Sequence, residues 1–151
     1  MRQVINKGSE RMNQIDHIAI AVFSIKQTSQ LLHQLFNWHF SDIQEVPEQE
    51  IKASFASLDH VHIELIEPMS DSSKLHTFLT KRGEGLHHIA LKSGDIHADL
   101  NHLDHLGVQL LQKSAQKGAS GKQIAFISPK ETSGVLFELC EPLKGEKHGN
   151  E

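Results

Sequence analysis

The chain has 151 residues, 38% hydrophobic and 23% charged, with a formal net charge of −4. That is enough for one buried core, and the negative balance argues against nucleic acid or an anionic membrane surface as the main partner. A single cysteine, Cys140, excludes an intrachain disulfide; with no signal-peptide core near the start and no apolar run of the roughly 20 residues that span a bilayer, a cytoplasmic location is expected.

Residues 1–13 are polar and read as a flexible extension. IDHIAIAV at 15–22 alternates and is rich in branched residues, which predicts a strand. Ser24 and Gln27 have capping-box spacing. Leu31, Leu32, Leu35 and Phe36 then recur at helical spacing, predicting a helix that ends near Trp38. Strands are predicted at about 40–46, 52–58 and 61–67. DSSKLHTFLTKRG (71–83) places Leu75, Phe78 and Leu79 on one side and stops at Gly83, as a linking helix would. HHIALK (87–92) is a strand, and Asp95 caps a helix that ends at Gly107. VQLLQK (108–113), KQIAFIS (122–128) and VLFELCE (135–141) complete the strands, and 143–151 is a polar, flexible tail.

Two stretches are spelled twice. DHIAIAV at 16–22 is echoed by HHIALKS at 87–93, and IELIEP at 63–68 by FELCEP at 137–142. The echoes keep their order at nearly the same offset, 71 and 74 residues, which indicates an internal duplication. The chain therefore reads as an α+β fold of two βαβββ modules, 14–70 and 84–142, joined by the helix at 71–83 in one domain over 14–142.

The duplicated positions carry chemistry. Alternation puts His17 on a face with Ile15, Ala19 and Ala21, and Glu64 on a face with His62 and Ile66. Their duplicates are His88 and Glu138. A glutamate in the middle of LFELC is costly to bury unpaired, and meeting that cost twice at matched positions points to a cation held by His17, Glu64, His88 and Glu138. Mixed imidazole and carboxylate donors suit one divalent Co, Zn, Ni or Mn ion. The remaining histidines, of 12 in all, read as surface or structural: His97, His102 and His105 lie off the apolar line Ile96, Leu100, Leu103, Leu106, His60 and His62 flank a turn, and His148 is in the tail. His87 is expected on the face opposite His88, and Glu67 and Glu141 at solvated strand ends beside Pro68 and Pro142.

Taken together, IDHIAIAV, VPEQ, IELIEP, GEGLHHIAL, GVQLL, GKQIAFISPK and SGVLFELCE resemble the vicinal-oxygen-chelate (glyoxalase/bleomycin-resistance) superfamily across most of 15–141, and within it the methylmalonyl-CoA epimerase family. The resemblance implies one curved, partly closed mixed sheet with the four ligands on its concave face. It also implies an isomerase that moves a proton α to the thioester of methylmalonyl-CoA through a metal-stabilised enediolate. Glu138 is then a ligand close to the proton path. Some family members place a second catalytic glutamate where Ala53 stands here; Glu48, with Glu50 nearby, is the candidate to replace it. Ser128 likewise stands where the family often has histidine. GASGK (118–122) is a candidate CoA-phosphate loop, with Lys122 or Lys130 as the cation. A homodimer is expected. The alternatives are a glyoxalase I-like lactoylglutathione lyase, whose usual Asp-Pro-Asp-Gly turn is replaced here by Pro129 to Gly134, and a metal-free small-molecule binder of the same superfamily.

Overall fold

The computed structural model describes residues 12–143. The expected flexible ends therefore lie almost wholly outside the described residues. Along the chain the elements are β1 (Ile15–Ala21), α1 (Ile25–Phe36), β2 (Gln44–Val46), β3 (Ile51–Leu58), β4 (Val61–Pro68), α2 (Lys74–Arg82), β5 (Gly85–Lys92), α3 (Ile96–His105), β6 (Gln116–Lys117), β7 (Gln123–Ile127) and β8 (Phe137–Glu141). The order is βαβββ twice, joined by α2, as the duplication predicts.

The chain divides into two compact units. One is Ile15–Ala90; the other holds the rest of the described residues, 12–14 and 91–143. In the first unit the strands run in the order β2-β3-β4-β1-β5. β1 lies parallel to β4, with His17 opposite His62 and Ala19 opposite Glu64. β3 lies antiparallel to β4, with Phe55 opposite Glu64. α1 starts where the Ser24 Oγ accepts the Gln27 N–H at 3.2 Å, and ends at Asn37, a left-handed residue whose N–H donates to the His33 carbonyl. Ile25 and Leu32 of α1 pack on Ile20, Val22 and Leu65. Because successive strand side chains alternate, His17 and Glu64 project from the sheet face away from α1.

The second unit repeats this logic. Its strands run β8-β7-β6. Asp95 caps α3 by accepting the Ala98 N–H. Ile96 and Leu100 of α3 pack on Ala125 and Leu139, so Glu138 projects from the face away from α3. The correspondence reaches single hydrogen bonds. Val22 N–H donates to the Ile66 carbonyl at 2.9 Å, and its duplicate, Ser93 N–H, donates to the Cys140 carbonyl at 2.9 Å. One pairing has no counterpart: Asp99, buried inside α3, accepts from the Ser93 hydroxyl at 2.5 Å. Met12 also packs on this core, so order begins within the stretch 1–13 expected to be flexible.

Three expectations are corrected. Residues 108–113 form no regular strand; only an isolated bridge joins Leu110 to Ile127. The reason is local: the Gln112 side-chain oxygen accepts the Phe126 N–H at 3.0 Å, a place where a ladder would use a backbone carbonyl. The strand expected from about residue 40 begins at Gln44, because the Ser41 hydroxyl accepts the Phe55 N–H at 3.0 Å in the same manner. α3 ends at His105, two residues before Gly107, which takes a positive φ of 76° in the turn that follows.

Leu65 and Leu139 occupy matched, fully buried positions under their helices. Leu65→Ala and Leu139→Ala should each lower the unfolding free energy by about 2–5 kcal/mol in urea titrations. A loss below about 1 kcal/mol at either site would contradict the packing.

Candidate metal centre and active site

Three of the four predicted ligands meet in the Ile15–Ala90 unit. β1 supplies His17, β4 supplies Glu64 and β5 supplies His88. The Nε2 atoms of His17 and His88 lie 3.3 Å apart, and His17 Nε2 lies 3.2 Å from a Glu64 carboxylate oxygen. All three side chains are buried, with exposures of 3%, 4% and 6% for His17, Glu64 and His88. Phe55 stands edge-on to His17, with ring centroids 5.9 Å apart.

This donor set fits a divalent cation. Ligands bound at about 2.1 Å to one ion lie roughly 3.0–3.4 Å from their neighbours around it, depending on coordination angle. The two separations from His17 Nε2, 3.3 Å to His88 Nε2 and 3.2 Å to the Glu64 carboxylate, fall in that range. Two imidazole nitrogens and one carboxylate oxygen, withdrawn from water and facing one another, favour positive charge between them.

Each histidine is held at its other nitrogen by the residue before it. His17 donates its Nδ1–H to Asp16 Oδ2 at 2.7 Å, and Asp16 is itself buried. The Nδ1 atoms of His88 and His87 lie 2.8 Å apart. Neither partner was expected, because neighbours along a strand project to opposite faces. The readable signal was positional: Asp16 and His87 are duplicates, each placed immediately before a duplicated histidine. His87 also meets Phe78 of α2, with ring centroids 4.8 Å apart, and the Arg82 guanidinium lies 5.5 Å from the Phe78 ring centre. Burial, with the charges of His88 and Arg82, pushes His87 down to about 3.

The other candidates stand as follows. Glu138 is buried at the centre of β8 in the second unit, opposite Phe126 of β7. Glu48 is exposed in a single 3₁₀ turn, Pro47–Gln49, between β2 and β3. Glu50 follows it with a left-handed φ of 56° and is also exposed. Ala53 is fully buried in β3, so that position offers no base. Lys122 follows the turn Ala119–Gly121 and is half-buried; Lys130 is exposed in the turn Pro129–Glu131. Ser128 is buried, with its N–H on the Gln109 carbonyl. His62 lies within β4 and pairs with the Ser57 hydroxyl at 3.1 Å, while His60 is exposed at the turn. Glu67 and Glu141 lie toward strand ends, as expected, but are half-buried there. Among the described residues no helix is long and apolar enough to cross a membrane.

The sequence pattern of the glyoxalase/bleomycin resistance protein/dioxygenase superfamily matches residues 16–126. The chain belongs to this superfamily. It is 32% identical over 135 residues to the mitochondrial methylmalonyl-CoA epimerase of Dictyostelium discoideum, covering 89% of this chain and 81% of that one. It is 46% identical over 137 residues to the uncharacterized protein YqjC of Bacillus subtilis, covering 91% and 97%. Among solved structures, a substituted form of the Streptomyces coelicolor methylmalonyl-CoA epimerase in complex with 2-nitronate-propionyl-CoA superposes with a TM-score of 0.86 at 28% identity, covering 90% of this chain and 99% of that one. Within the superfamily the chain is thus an isomerase of the epimerase type.

The depressed His87 gives a pH signature. Folded His87 protonates near 3, whereas an unfolded histidine does so near 6.5. Between those values the unfolded chain binds the extra proton, so stability falls as pH drops through that window, by at most about 1.4 kcal/mol per pH unit for this group. Melting temperatures of metal-free protein should therefore decline less steeply from pH 6.5 to 4 in His87→Asn than in the parent. Parallel declines would show that His87 titrates normally.

Proposed function

We propose that the protein is a metal-dependent methylmalonyl-CoA epimerase that moves a proton at the carbon α to the thioester. The observation that carries this reading is the buried meeting of His17, Glu64 and His88, in a chain whose relatives include methylmalonyl-CoA epimerases. A divalent ion bound there, Co, Zn, Ni or Mn, would act as a Lewis acid for the negative charge that develops on the thioester oxygen when the α-proton leaves.

The protein's own residues do the rest. His17, Glu64 and His88 present donors at fixed separations, with Glu138 as the proposed fourth ligand. Glu138 duplicates Glu64, is as deeply buried, and likewise projects from the sheet face away from its helix. Glu138 is also the proposed base on one side of the α-carbon, and Glu48 the partner on the other. One carboxylate takes the α-proton, the C–H electron pair delocalises into the thioester carbonyl, and the other returns a proton to the opposite face. Lys122 and Lys130 are proposed to meet the CoA phosphates as point charges. The Gly118–Lys122 loop that carries Lys122 is a tight turn, closed by Gly118 N–H on the Lys122 carbonyl at 2.8 Å. The enzyme is taken to act in the cytoplasm as a homodimer, for which Leu31 and Leu35, exposed together on α1, offer apolar surface.

The purified protein should carry about one divalent metal per site. Glu64→Gln and Glu138→Gln keep the volume and remove the charge, so elemental analysis should show metal content falling several-fold in both. Full occupancy in both variants would refute the ligand assignment. In heavy water, metal-loaded protein given one epimer of methylmalonyl-CoA should form the other and take deuterium at the α-carbon. It should leave methylglyoxal with glutathione unchanged. Turnover only of the glutathione adduct would move the protein to the lactoylglutathione lyases, and silence toward both would favour a sequestering role.

A further inference from the structure

We propose that His87 is a positioning residue for the metal centre: its Nδ1 accepts the Nδ1–H of His88 and so keeps the Nε2 lone pair of His88 directed at the metal. The inference rests on the reading of His17, Glu64 and His88 as ligands. It concerns a residue outside that set.

The argument is one of proton counting. His88 presents Nε2 to the cluster, 3.3 Å from His17 Nε2, which in turn lies 3.2 Å from a Glu64 carboxylate oxygen. A metal ion bound among these donors takes the Nε2 lone pair of His88. That puts the proton of neutral His88 on Nδ1. That Nδ1 lies 2.8 Å from His87 Nδ1. Two ring nitrogens at this distance share one proton, so His87 accepts at Nδ1 and carries its own proton on Nε2. His87 thereby does for His88 what Asp16 does for His17, at the duplicated position. Phe78, edge-to-face with His87, fixes the ring that does the accepting and ties this function to α2.

The two modules have diverged at this point. His17 rests on a carboxylate, which strengthens its nitrogen as a ligand; His88 rests on an imidazole, which orients it without adding negative charge. The two histidines should therefore hold the metal unequally.

The test combines nitrogen NMR with metal titration. In metal-free protein labelled with ¹⁵N, long-range ¹H–¹⁵N spectra at pH 8 should show His88 as the Nδ1–H tautomer. His87→Phe removes the acceptor and keeps a ring against Phe78; it should yield mixed tautomers at His88 and weaken zinc binding by about 10–100-fold in competition titrations. His87→Asn supplies an amide oxygen that can accept the same proton, and should restore both the tautomer and most of the affinity. An Nε2–H tautomer of His88 in the parent protein, or equal zinc affinity in the parent and His87→Phe, would overturn the proposal. The tautomer is read without metal, so failure of the parent to bind zinc would count against the metal reading alone.

Discussion

Three donor atoms held face to face out of water set the terms for the rest of the molecule. An imidazole nitrogen of His88 and a carboxylate oxygen of Glu64, each within 3.3 Å of His17 Nε2, crowd lone pairs together unless positive charge joins them. Only a framework stable without their help can keep them there. The sheet of the Ile15–Ala90 unit supplies it. β1, flanked by β4 and β5, places each side chain with a backbone ladder, and α1 covers the opposite face with Ile25 and Leu32. Apolar burial on one face of the sheet supports polar burial on the other.

The matched contacts extend the meaning of the repeated words in the sequence. Ile25 and Ile96, Leu65 and Leu139, Ile20 and Leu91 each recur in the core of their own unit. The same holds for the helix caps, Ser24 and Asp95, which differ in chemistry and agree in function. A capping oxygen and a branched residue under the helix are what the unit requires; the exact side chain is free to drift. The buried glutamates are constrained differently, since another residue at Glu64 or at Glu138 would change the charge at a buried position that water does not screen.

Much of this was legible in the residues. Alternation in IDHIAIAV and IELIEP gave the strands and the face of each candidate ligand, and the duplication gave the pairing of His17 with His88 and of Glu64 with Glu138. What failed to show was whatever depended on side chains standing in for backbone. VQLLQK has the composition of a strand, yet Gln112 uses its amide oxygen for the bond that a strand would have made with its backbone. Ser41 hides the start of β2 in the same way. Asp16 and His87 were hidden because alternation sends them away from the histidines they touch. Periodicity reports where a side chain leaves the backbone, and says nothing of how far its polar end reaches. The loops that carry Glu48, Lys122 and Lys130 lack any period, so periodicity is silent on the roles proposed for them.

The parallel pairing of β1 with β4 also has a consequence in time. β1 is the first strand of its unit to be synthesised, but its register partners lie at His62 to Ile66. A ribosome adding about 5–20 residues per second delivers them seconds later, and His88 later still. Until then β1 has no neighbour, and its apolar stretch Ile18–Ala21 is exposed beside an imidazole with nothing to bind. The early chain can form α1 and the β3–β4 hairpin from local contacts, while β1 must wait for β4 and β5 on either side of it. Sheet completion and assembly of the donor set are thus one event in the life of the nascent chain.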